Sequence, residues 1–126
     1  MKSKVSLKVK SIDETIEGGI YKELSICLGA KKIGFIELYS FFSPYGKDWG
    51  ISYGYVKSIE IIPDYRRQGI GTAILMQLAE ENRKIYLYAD NSEAERLYQR
   101  IGEVVEGSQI PSELDGEDYD TMYMIY

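Results

Sequence analysis

Two glycines follow a pair of arginines in Arg66-Arg67-Gln68-Gly69-Ile70-Gly71-Thr72, and no other stretch of the chain is so well suited to chemistry. It comes after the run Ile59-Glu60-Ile61-Ile62, which Pro63 stops, and it leads into residues with helical spacing. A helix starting there presents first-turn N–H groups without intrahelical partners at the positive end of its dipole, which together form an anion site. Glycine lets an anion reach the backbone with no Cβ in the way. Arg66 and Arg67 add positive charge where a pyrophosphate would lie. Two common phosphate loops are excluded. A Walker loop needs Lys-Ser/Thr after its second glycine, where Thr72-Ala73 stands. A dinucleotide fingerprint needs a third glycine where the chain has Ile74.

The residues the chain lacks narrow the rest. It has 126 residues, no histidine and a single cysteine, Cys27. Ser-His-Asp and Cys-His mechanisms therefore have no base, and no Cys/His zinc site or intramolecular disulfide can form. Acid–base work falls to Glu, Asp, Lys, Tyr, a terminus or water. Cys27, inside Leu24-Ser25-Ile26-Cys27-Leu28, reads as a small buried packing residue. A net charge of −5 and a pI of about 4.8 argue against nucleic acid as a partner, where a basic footprint is expected. No apolar run is long enough to cross a bilayer, and Lys8 and Lys10 interrupt any secretory leader. The expected location is cytoplasmic, without membrane association.

The elements that must position the glycine-rich segment can be read from periodicity. Val5 to Val9 alternates as a strand, Gly18-Gly19 breaks the chain, and Ile20 to Leu28 reads as a second strand. Gly29-Ala30-Lys31 turns into a third, Ile33 to Phe42, so that these two form a hairpin. A loop over residues 43–48 precedes a fourth strand, from about Ile51 to Ile62. Ile70, Ile74, Leu75 and Leu78 share one face of a helix ending near Asn82, and Ile85 to Ala89 is a short strand. A second helix follows, capped by Ser92 with Glu95 completing a capping box. Ala94, Leu97, Tyr98 and Ile101 form its apolar stripe, and Gly102 ends it. Met122 to Tyr126 is a final strand. Antiparallel strands followed by strand–helix–strand give one domain, residues 1–126, of mixed α+β class.

Two of these segments together resemble the GNAT superfamily of acyl-CoA-dependent N-acyltransferases. The pattern Arg/Gln-x-x-Gly-x-Gly/Ala appears as Arg66 to Gly71 behind Ile61 and Pro63. The pattern Asn-x-x-Ala-x-x-Leu-Tyr with a later glycine appears as Asn91 to Tyr98 with Gly102. The resemblance covers roughly residues 51 to 105. It implies a mostly antiparallel sheet of six to seven strands with two main helices, and acetyl-CoA as co-substrate with no metal. By resemblance, backbone groups of Ile61 and Ile62 pair with the pantetheine arm where the fourth and fifth strands splay. Arg66, Arg67, Gln68, Gly69, Ile70, Gly71 and Thr72 cradle the pyrophosphate. Asn91 and Ala94 lie along the arm, and Tyr98 points its hydroxyl at the thioester sulfur. Without the resemblance Tyr98 is a core residue of the stripe.

The same resemblance implies direct acyl transfer to an amine. A lysine-like amine has a pKa near 10.4, so its neutral form at pH 7 costs roughly 4–5 kcal/mol, and a base must assist. Glu60 is the candidate, with an ordinary sheet acid as the alternative reading. From Ile101 to Tyr126 there are seven acids and no Lys or Arg, five of them between Glu113 and Asp120; they read either as a solvated loop or as a field that attracts a cationic acceptor. Only about ten residues, Ser11 to Ile20, separate the first two strands where the family places one or two helices. The wall of the acceptor pocket is thus abbreviated, which suits a protein lysine, an N-terminus or a polyamine, or else calls for a partner subunit in a homodimer. The competing readings are a CoA-binding regulatory module without turnover and, on length alone, an immunity or anti-host factor of a mobile element.

Overall fold

Alternating apolar and polar residues build long strands in the first half, and helical spacing takes over after Pro63. The computed structural model describes residues 5–16, 19–42, 51–106, 110 and 121–126. The order is β1 (Val5–Ile16), β2 (Gly19–Leu28), β3 (Lys31–Phe42), β4 (Ile51–Ile61), α1 (Ile70–Glu81), β5 (Ile85–Ala89), α2 (Ser92–Ile101), β6 (Glu103–Val105) and β7 (Thr121–Ile125). One tight helical turn, Pro63–Tyr65, joins β4 to α1. The strands form a single seven-stranded sheet ordered β1-β2-β3-β4-β5-β7-β6, in which only β4 and β5 are parallel neighbours. This is the mixed α+β sheet with two helices that the sequence implies.

One strand is longer than its periodicity suggests. The reading ends β1 at Val9, whereas the strand continues to Ile16. The register steps from Val9↔Leu24 to Ser11↔Glu23, leaving Lys10 as the extra residue of a bulge. A bulge shifts the alternation by one, so Ile12 returns to the face of Val9 and the simple period-two pattern is lost. Only residues 17 and 18 then separate β1 from β2, and no helix forms a wall between them.

The two faces of the sheet differ in chemistry. On one face Ile26, Ile33, Ile36 and Leu38 pack with Ile85 and Leu87 against Ile74, Leu75 and Leu78 of α1. Each such buried side chain contributes about 1.5–3 kcal/mol. Cys27 is buried and free. Asn82, also buried, fixes the end of α1 to the sheet: it accepts a hydrogen bond from Ser40 Oγ at 3.1 Å and donates to the Leu78 carbonyl at 2.8 Å. On the other face a second cluster is largely aromatic, with Tyr39, Phe41, Tyr55 and Tyr86 buried and Tyr21, Tyr53 and Tyr88 at its margin.

β3 and β4 are held closely where β4 approaches the glycine-rich segment. A Cβ on Gly34 would overlap the carbonyl of Glu60, and Ile62 N donates to Ile33 O at 2.8 Å in the next step of the ladder. Gly34→Ala is expected to lower the free energy of unfolding by about 3 kcal/mol, the upper part of the usual overpacking range, as measured by urea denaturation. A loss no larger than that of an exposed strand substitution would show that β4 is free to move away from β3.

Candidate active site

The site begins where the sheet comes apart. β4 and β5 pair only at Gly54↔Ile85 and Tyr55↔Tyr86, with Gly54 N donating to Lys84 O at 2.9 Å. Just beyond, the β3–β4 register steps from Leu38↔Val56 to Glu37↔Ser58, so Lys57 is the extra residue of a bulge. A bulge bends its strand and increases local twist. β4 stays with β3 through Ile61, and β5 stays with β7 through Ala89. The two parallel strands therefore diverge and leave a gap. Since Ile62 N points to β3, alternation turns the N–H and C=O of Ile61 and Ile59 toward the gap. Of the two residues expected to meet a pantetheine arm, Ile61 faces the gap, while the Ile62 amide is already occupied. Ile59, which shares that orientation, escaped the sequence reading because nothing in a linear pattern marks where pairing stops.

The gap leads to the start of α1. Gly69 is the N-cap in a left-handed conformation, φ 77°, and Arg67 before it has φ 62°. The first is natural for glycine; the second costs a non-glycine residue roughly 1–2 kcal/mol. No side chain caps the helix and no acid lies in its first turn. The first bond of α1 is Ala73 N to Gly69 O at 3.1 Å, so the amides of Ile70, Gly71 and Thr72 are the ones a helix leaves without an internal partner. Gly71 is not demanded by the fold. A Cβ there would meet only Ile61 Cδ1, at an ordinary 3.7 Å.

The polar side chains of the segment hold its own backbone. Arg66 Nε donates to Ile61 O at 2.7 Å and Gln68 Nε2 donates to Asp64 O at 3.1 Å. Arg67 reaches across the mouth of the gap to Glu93 of α2, Nε to Oε1 3.8 Å, with both groups well exposed. Such a pair contributes little to stability and yields readily to a phosphate.

α2 forms the other wall. Its N-cap is Asn91, whose side chain accepts from Ala94 N at 2.8 Å and donates to Asp90 at 2.9 Å. Ser92 is thus the first helical residue and not the cap. Glu95 accepts from Tyr123 Oη at 3.4 Å. Asn91 and Ala94 are brought to the mouth beside Arg67, with the Asn91 carbonyl engaged in capping. Tyr98 is 6% exposed, and its ring meets Tyr123 edge-on at 5.8 Å. Its hydroxyl makes no hydrogen bond among the described residues, yet none of their buried polar side-chain atoms lacks a partner. The ring is therefore packed while the hydroxyl is not wholly enclosed. Burial, with a smaller contribution from Asp90, pushes its pKa up to about 12.

Glu60 is exposed and alternates to the sheet face opposite Ile59 and Ile61. Tyr98 belongs to the helix-side core. They lie on opposite faces of the sheet. The acids from Glu113 to Asp120 lie outside the described residues.

This arrangement is that of a known fold. The GNAT acetyltransferase domain model matches residues 23–102, and the chain belongs to that family. Among solved structures, an acetyltransferase from Thermus thermophilus is 18% identical with a TM-score of 0.56, over 82% of this chain and 62% of the other. PaiA N-acetyltransferase from Thermoplasma acidophilum, in complex with coenzyme A, is 18% identical with a TM-score of 0.54, over 82% and 60%. NAA60 from Arabidopsis thaliana, in complex with a bisubstrate analogue, is 17% identical with a TM-score of 0.55, over 83% and 75%. The chain thus spans about three fifths of the length of the first two. No curated protein sequence matches it significantly.

Gly71→Asp is expected to abolish stabilisation by acetyl-CoA, since its carboxylate would take the place of the anion. Wild type should gain about 2.7 kcal/mol at a hundredfold excess of ligand over its dissociation constant, read as a raised melting temperature. Without ligand, Gly71→Ala should stay within about 1 kcal/mol of wild type. A ligand-induced shift that survives in Gly71→Asp would move the anion site elsewhere.

Proposed function

We infer that the chain is an N-acyltransferase that moves an acetyl group from acetyl-CoA directly to a primary amine, with a cationic acceptor such as a protein lysine, an N-terminus or a polyamine. The observation that carries this reading is the gap between β4 and β5, which ends at an uncapped helix turn where no described neighbour requires a glycine at Gly71. Complexes of structural neighbours with coenzyme A and with a bisubstrate analogue support it.

In this reading the backbone of Ile59 and the amide N–H of Ile61, whose carbonyl already accepts from Arg66, hold the arm, and the amides of Ile70, Gly71 and Thr72 hold the pyrophosphate, with Arg67 released from Glu93. The neutral amine attacks the thioester carbonyl carbon; a C–N bond forms, the C–S bond breaks, and the sulfur leaves as thiolate. Tyr98 donates its proton to that sulfur. Its raised pKa means that the phenol is fully protonated at neutral pH, so it can act only as a donor there. A carboxylate on the opposite face, with Glu60 as the candidate from sequence, takes the amine's proton directly or through water. No side chain is acylated on the way.

Tyr98→Phe keeps the ring packing and loses only the hydroxyl. Its kcat for amine-dependent thiol release should fall about 10²–10⁴-fold, the usual contribution of a general acid, with little change in acetyl-CoA affinity. Because the folded pKa is raised, the wild-type rate should not fall through loss of this proton until the pH approaches 12. Full activity in the phenylalanine variant would return Tyr98 to a packing role.

A further inference from the structure

The sheet face on which no described helix packs carries a carboxylate that the reading above does not use. Glu37 sits on β3 directly opposite Ser58, the first paired residue beyond the Lys57 bulge. Opposed residues on antiparallel strands lie about 4.5–5.5 Å apart, so Glu37 borders the place where the sheet opens. Glu60 is two residues further along β4, about 7 Å beyond Ser58, and exposed. Glu37 is half-buried, and Tyr21 Oη donates to its Oε2 at 2.7 Å.

Its charge is not balanced within the described residues. The residue opposite it on β2 is Glu23, and like charges directly opposed are unfavourable. Lys10 lies 3.6 Å from Glu23; among the described residues Glu37 has no cation of its own. Lys8 and Lys32, which register also places on this face through Lys8↔Ser25 and Lys32↔Cys27, make no ion pair among them. Aromatic rings flank the carboxylate. Tyr21 lies 5.0 Å from Tyr39 between centroids, Tyr39 lies 6.1 Å from Tyr55, and Tyr55 lies 6.3 Å from Tyr88, so that the row crosses from β2 to β5 beside the gap. A carboxylate held by a phenol beside aromatic rings is suited to an ammonium group, through a charged hydrogen bond and ring-face attraction.

We propose that Glu37, oriented by Tyr21 and flanked by the aromatic row, is the subsite that binds the ammonium group of a cationic amine at the mouth of the β4–β5 gap. The proposal rests on the acyltransferase reading and gives its acceptor a place. The phenol of Tyr21 is raised to about 12, chiefly by the hydrogen bond to Glu37, so this donor persists across the working pH range.

The test is calorimetric binding of spermidine and of a lysine-rich peptide, each with and without saturating coenzyme A. Glu37→Gln keeps an acceptor for Tyr21 and should fold normally, yet should weaken binding of at least one probe by about tenfold or more, as loss of one charged hydrogen bond does. Tyr21→Phe should weaken it less. Glu80→Gln, the same charge change on the exposed surface of α1, should leave it unchanged. Coenzyme A affinity should be equal in all four proteins. Wild-type protein that binds neither probe, or Glu37→Gln that binds as tightly as wild type, overturns the proposal. Failure to bind coenzyme A would instead count against the acyltransferase reading, and the titrations without it would still report on Glu37.

Discussion

Seven strands share one sheet, but the hydrogen-bond ladder between its two parallel neighbours lasts for only two residue pairs, Gly54↔Ile85 and Tyr55↔Tyr86. The single extra residue at Lys57 then turns β4 away while β3 keeps hold of it. Backbone groups cannot be left unpaired in a buried place without a cost comparable to a lost hydrogen bond, so a sheet parted in this way needs either water or a ligand strand. Everything else in the site follows from that divergence. The end of β4 delivers the chain to Pro63 and the cradle, and the end of β5 delivers it to the cap of α2. Both helices therefore start at the same mouth, where Arg67 and Glu93 meet.

The gap also joins the two faces of the sheet. The helix side is aliphatic and closes over the ring of Tyr98; the other side is aromatic and carries Glu37 and Glu60. In the proposed function, a thioester held between the strands would take its proton donor from one face and its amine from the other. Burial raises the pKa of the Tyr98 phenol further above its ordinary value.

Much of this was legible in the sequence because it depends on local signals. Gly69 and Gly71 after Pro63 marked the helix start, and α1 and β5 were read nearly to the residue from periodicity and breakers. Bulges were not legible. Lys10 hid the second half of β1 by shifting the alternation, and Lys57 looked like any strand lysine although it opens the site. The cap of α2 moved by one residue because Asn91 and Ser92 are both good caps, and only the bond to Ala94 N decides between them. Glu37 was missed because its importance comes from register: it lies opposite Ser58 across a ladder whose pairing no linear motif encodes.

In the proposed function a CoA arm fills the gap while its pyrophosphate rests on the first turn of α1. Residue-resolved amide hydrogen exchange with and without acetyl-CoA tests this most directly, since each of these groups carries its own probe. The account predicts new protection at Ile70, Gly71 and Thr72 and at the gap-facing amides of Ile59 and Ile61, with the Ile62 amide already protected in the free protein. Binding accompanied by protection elsewhere, with those five amides unchanged, would contradict it.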